Sequence, residues 1–171
     1  MRRTVRVASG LVTGCAVLLA AGCGSGTVSA ADHASATEVT TGTARQTLAA
    51  RYLAIAQPAN RQLDHDFDGL EDNDDAHLAA AEADLRAAAA TERRFDRLLL
   101  GIAFPAGTEA IVRLLYTVNQ QRAQLTVTAA ASRSTQQLHG YEQRLDAANE
   151  PVEQAVRVIR SQLGLPPPDT D

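Results

Sequence analysis

Apolar residues recur at spacings of three and four along most of the chain after residue 43, and this period assigns four helical segments. The first places Leu48, Tyr52, Ile55, Ala59 and Leu63 on one face, with Pro58 inside it as an expected kink. The second carries Leu78, Ala81, Leu85, Ala88, Phe95, Leu99 and Ile102. The third begins near Pro105, a residue suited to a first helical turn, runs through Ile111, Leu115, Val118, Leu125 and Ala129, and should end around Ala131. The fourth opens with the capping-box pattern Ser134-Thr135-Gln136-Gln137 and repeats Leu138, Tyr141, Leu145, Ala148, Val152, Ala155, Ile159 and Leu163, with Gly164 as its C-cap.

Short connections at 101–105 and 132–135 make the neighbours antiparallel, and no alternating strand pattern competes. The expected fold is all-α, an antiparallel up-down four-helix bundle over residues 43–165, followed by a stiff proline-rich tail at 166–171. Pro58 and Pro151 each interrupt a helix, so an exposed apolar groove where the bundle splays is a further expectation.

The first 42 residues read differently. Arg2, Arg3 and Arg6 precede an uncharged run from Val7 to Ala21, which is too short for a stable membrane span and has the layout of a signal peptide over residues 1–22. Residues 23–42 are Gly-, Ser-, Thr- and Ala-rich without apolar period, and are expected to be a flexible tether.

Composition narrows the function classes. Among 171 residues there are 33 Ala, 16 Arg and no Lys, with a formal net charge of −4, which excludes a polybasic nucleic-acid binder. Cleavage before Cys23 would leave 13 Arg against 20 acids and a single cysteine, hence no intramolecular disulfide. There is no nucleophile-elbow motif, phosphate-cradling glycine loop or dinucleotide fingerprint, so the expectation is a protein that is not an enzyme.

One segment concentrates the acidity. Asp64-His65-Asp66-Phe67-Asp68-Gly69-Leu70-Glu71-Asp72-Asn73-Asp74-Asp75 holds seven acids in 12 residues without one Arg. Acids at alternate positions followed by Gly69 resemble the start of EF-hand loops and of thrombospondin type 3 calcium repeats, a likeness that implies Asp64, Asp66, Asp68, Asp72 and Asp75 as oxygen ligands of a calcium site with Gly69 permitting the turn, and His65 and His77 would add imidazoles suited to zinc or copper. The other reading is a solvated inter-helix turn, with Asp72, Asn73 or Asp74 capping the second helix, or Asp64 to Asp68 continuing the first helix. His65, His77 and His139 fall at the same end of the bundle, as metal ligands or as plain surface residues.

Elsewhere, Asn119, Asn149 and Tyr52 are expected at similar heights near mid-bundle, where an Asn on the seam would fix register. Glu92 and Arg122 lie in the seams, but turn-to-turn counting puts them at different levels, so both are expected to reach outward without pairing.

Two resemblances follow from these residues. Leu18-Leu19-Ala20-Ala21-Gly22-Cys23 resembles a bacterial lipobox, which implies diacylation at Cys23. With Thr91-Glu92-Arg93-Arg94-Phe95-Asp96 and Leu163-Gly164-Leu165-Pro166-Pro167-Pro168, the chain resembles secreted lipoproteins of high-GC Gram-positive (actinobacterial) type. That likeness implies a lipid-anchored protein on the extracytoplasmic face of the cell membrane, meeting an envelope protein or ligand, and no nucleic acid. The acidic segment resembles the start of EF-hand loops and thrombospondin type 3 repeats, although its twelfth position is Asp75 and its eighth is the charged Glu71.

Overall fold

A computed structural model describes the backbone of residues 31–73 and 77–168, and the side chains of 42–70 and 77–168. Five helices follow in order: α1 (Ala31–Asn73), α2 (Leu78–Leu99), α3 (Ala106–Ala129), α4 (Thr135–His139) and α5 (Glu142–Gln162). Among the described residues there is no strand, and the molecule is an all-α bundle in which α1 packs on α2, α2 on α3 and α3 on α5. The signal-peptide and Cys23 assignments lie outside the described residues.

Two boundaries differ from expectation. Helix α1 is already helical at Ala31, inside the stretch expected to be a tether, because that stretch is rich in alanine, the best helix former. The fourth segment is two helices. Ser134 caps α4 as its hydroxyl accepts the Gln137 amide at 3.1 Å, but the helix ends after five residues at Gly140, and α5 starts afresh at Glu142. Glycine is a poor helix former, and Leu138 of α4 is buried with Ala81, Leu85, Ala129 and Ala130.

The far end of α5 is closed as the sequence implies. Gly164 has φ +71°, the Gly164 amide donates to the Ser161 carbonyl, and the Leu165 amide donates to the Arg160 carbonyl at 2.8 Å. These two bonds make a Schellman cap, with Leu165 folded back on the core.

The helices are staggered. Asp96, in the last turn of α2, faces Asn119, which lies thirteen residues into α3. The start of α3 therefore projects about ten residues, or roughly 15 Å, beyond the end of α2. Residues 100–102 turn off the end of α2, the Gly101 and Ile102 amides donating to the Leu98 and Leu99 carbonyls, and 103–105 run on without helix to α3.

This stagger produces two apolar cores. At one end, Ala49, Tyr52 and Ala56 of α1 meet Leu99, Val112 and Leu115, and Val152, Ala155, Ile159 and Leu163. At the other, Ala81 and Leu85 of α2 meet Ala129, Ala130 and Leu138, with Phe67, Leu70 and Leu145 packed around them. Leu85, Leu99, Leu115 and Ile159 are fully buried, and each contributes about 1.5–3 kcal/mol of burial free energy. Between the cores, the buried Ala88, Ala89 and Ala123 let α2 and α3 approach closely.

Candidate functional site

The acidic segment does not form a calcium loop over its first half. Residues 64–73 are the end of α1, so Asp64 and Asp68 share one helical face while Asp66, about 200° from Asp64, projects to the other side. Asp68 is exposed and Asp66 is buried, its Oδ1 accepting from Gln62 Nε2 at 2.8 Å. Gly69 makes no turn. It lies inside α1 at a close approach to α2, where an added Cβ would come 3.0 Å from Asp84 Oδ2. The Asp72 side chain and Asp75 lie outside the described residues. His65, His77 and His139 are all exposed, and among the described residues no group of three or more acids, histidines or cysteines is placed to hold a metal.

A constellation the sequence did not announce occupies the space between the two cores. Asp96 is fully buried, accepting from Asn119 Nδ2 at 2.9 Å through Oδ1 and from Gln120 Nε2 at 2.7 Å through Oδ2. One turn earlier, Glu92 meets Arg122 of α3 at 3.1 Å, with side-chain exposures of 1% and 11%. The expected mismatch of level between Glu92 and Arg122 is thus overturned. Counting from the turn put them apart, and the stagger of α3 against α2 brings them together.

Asn149 takes no part, since it is half-buried and donates to Glu153 within α5, and Tyr52 sits in the apolar core with Leu115 and Ile159. Only Asn119 of that trio pins the seam.

The Glu92–Arg122 contact is an ion pair without aligned hydrogen bonds, since both Glu92 carboxylate oxygens are buried and lack a hydrogen-bond partner. Burial pushes the Glu92 carboxyl above its ordinary value, opposed by the Arg122 charge. Burial raises Asp96 as well, and the bonds from Asn119 and Gln120 oppose it. The Arg122 guanidinium lies 5.8 Å from the centre of the Phe67 ring, which ties α1 to the same layer. Every one of these groups is turned inward, so the layer sets helix register and offers no open face to a substrate.

One open feature among the described residues is a groove of about 280 Å³ between α1 and α2. Ile55, Pro58, Phe95 and Leu98 supply its apolar surface, and Thr91 and Arg94 its polar edge. It forms at Pro58, where the splayed groove was expected. Proline has no N–H, so the carbonyl of Ala54, also on the groove wall, loses its helical donor. Neither motif nor periodicity pointed to Arg94. The signal available was the absence of any acid from α1 between Gly42 and Leu63.

Comparison with protein-family models, with curated proteins and with solved structures finds no match to this chain.

Proposed function

We propose that this is a lipid-anchored helical-bundle protein of the bacterial cell envelope, held on the extracytoplasmic face and acting by binding a partner, not by catalysis. The observation that carries the reading is the run Leu18-Leu19-Ala20-Ala21-Gly22-Cys23 behind an arginine-flanked apolar segment. Diacylation at Cys23 would bury many methylenes at about 0.8 kcal/mol each, holding the bundle at a membrane without any spanning helix. No helix among the described residues is long and apolar enough to cross a membrane.

The buried carboxylates at Glu92 and Asp96 face a guanidinium and amides. The described surface offers a groove that a partner could enter.

The test is metabolic labelling with an alkyne fatty acid in a bacterium that processes lipoproteins. The full chain is expected to carry label and fractionate with membranes, Cys15→Ala to behave alike, and Cys23→Ala to lose the label and leave the membrane fraction. Label retained in Cys23→Ala, or none on the wild-type chain, overturns the anchor.

A further inference from the structure

The surface around the α1–α2 groove is basic in an otherwise acidic protein. The chain carries a formal charge of −4, yet α1 has no Asp or Glu from Gly42 to Leu63, and the acids of α2 between Leu85 and Leu99 are Glu92 and Asp96, both buried. The exposed charges flanking the groove are therefore arginines. Arg94 is on its edge, Arg51 lies seven residues before Pro58, two turns along the same helical face, and Arg61 lies one turn beyond Pro58.

Several surface arginines are neutralised within their own helix. Arg86, Arg113 and Arg157 each pair with a glutamate one turn earlier in their own helix. Arg51, Arg61 and Arg94 are exposed and form no ion pair or hydrogen bond among the described residues. Below them, Ile55, Pro58, Phe95 and Leu98 leave an apolar surface uncovered, with Leu98 45% exposed.

An apolar surface rimmed by unpaired guanidinium groups is complementary to a molecule with a hydrocarbon portion and an anionic head. Arginine presents a fork of donors matched to phosphate oxygens, and the Ala54 carbonyl freed by Pro58 supplies an acceptor for a hydroxyl beside that phosphate.

We propose that the α1–α2 groove binds an anionic phospholipid of the glycerol-headgroup class, with acyl carbons against Phe95, Leu98 and Pro58 and the phosphate on Arg94, flanked by Arg51 and Arg61. This deepens the envelope reading and rests on it for where the lipid is met. Binding itself requires no anchor, so failure of Cys23 labelling and failure of lipid binding are separate results.

The experiment is an amide-resonance titration of the full chain with monomeric dihexanoyl phosphatidylglycerol, with dihexanoyl phosphatidylcholine and glycerol phosphate in parallel. Expected are saturable shifts confined to residues 54–62 and 91–98 with the anionic lipid, and at least tenfold weaker binding of the zwitterionic lipid and of glycerol phosphate. Arg94→Gln and Leu98→Ser should each weaken binding about tenfold, while Arg157→Gln on α5 leaves it unchanged. Equal shifts with both lipids, equal shifts with glycerol phosphate alone, insensitivity to Arg94→Gln, or unmoved groove amides would each overturn the proposal.

Discussion

Replacing Arg122 with methionine removes the countercharge from Glu92 while keeping most of the apolar stem, and it isolates what the buried pair contributes. With 1% of its side chain exposed and neither oxygen in an aligned hydrogen bond, Glu92 has no other group to compensate its lost hydration. Breaking a buried pair from one side costs about 3–5 kcal/mol. Some of the loss will be the Phe67 contact, about 0.5–2 kcal/mol. For a chain of this size, roughly 2–4 °C of melting temperature accompanies each kcal/mol, so Arg122→Met should melt about 6–20 °C below wild type. The double variant Glu92→Met with Arg122→Met should recover all of that and gain about 1–4 kcal/mol, because two incompletely satisfied charges give way to apolar packing. Urea unfolding at pH 7 of wild type, both single variants and the double variant reads the cycle. Acid provides an internal control: Arg122→Met should regain up to about 1.4 kcal/mol per pH unit as the orphaned carboxyl takes up a proton. A double variant as unstable as Arg122→Met, or a single-variant loss below about 1 kcal/mol, would refute the claim that this pair is desolvated and poorly compensated.

Three other expectations follow from the same interior. Glu92 and Asp96 have folded-state values raised above the ordinary 4.5 and 3.8, so each adds stability that is fully present below its ordinary value and lost as pH rises through the raised one. Urea midpoints should therefore fall less steeply between pH 5 and neutrality in Glu92→Gln than in wild type, and a steeper fall would contradict the sign. Tyr52 is pushed up to about 12, mainly by burial with Arg160 opposing, so its neutral form stabilises the fold up to pH 10 and that contribution is lost between pH 10 and about 12. Alkaline titration should show Tyr52→Phe unfolding at higher pH than wild type. Gly164 at φ +71° is the one left-handed residue among the described ones, so Gly164→Ala should cost about 1–2 kcal/mol in urea unfolding, and a neutral result would mean that the α5 cap is not held.

The helical faces were legible because burial imposes a period that sequence displays directly. Leu78 to Leu99, Leu115 to Ala129 and Val152 to Leu163 lie where their spacing puts them, and the Ser134 and Gly164 caps use chemistry readable from single residues. The groove at Pro58 was anticipated on the same kind of evidence, since a residue without an N–H disturbs any helix. What failed was relative height. A six-residue connection does not reveal how far the next helix starts beyond the last one, and it is the stagger of α3 that aligns Glu92 with Arg122 and Asp96 with Asn119. The acidic segment was legible only as alternatives: Asp-x-Asp-x-Asp-Gly suits a cation loop, but the same residues continue the first helix when packing on α2 rewards it, and Gly69 is then useful for its small size against Asp84.

The polar layer also divides the molecule's cohesion. Most of the hydrophobic stabilisation sits in two clusters, one around Leu115 and Ile159 and the other around Leu85 and Leu138, joined across a level where charges and amides replace hydrocarbon. Hydrogen-bonded polar contacts hold one alignment well but add little net free energy per group, so the junction is specific without being strong. The two ends are accordingly expected to unfold locally as separate units, the α4 end, closed by a five-residue helix, opening while the end held by the α5 cap keeps its core.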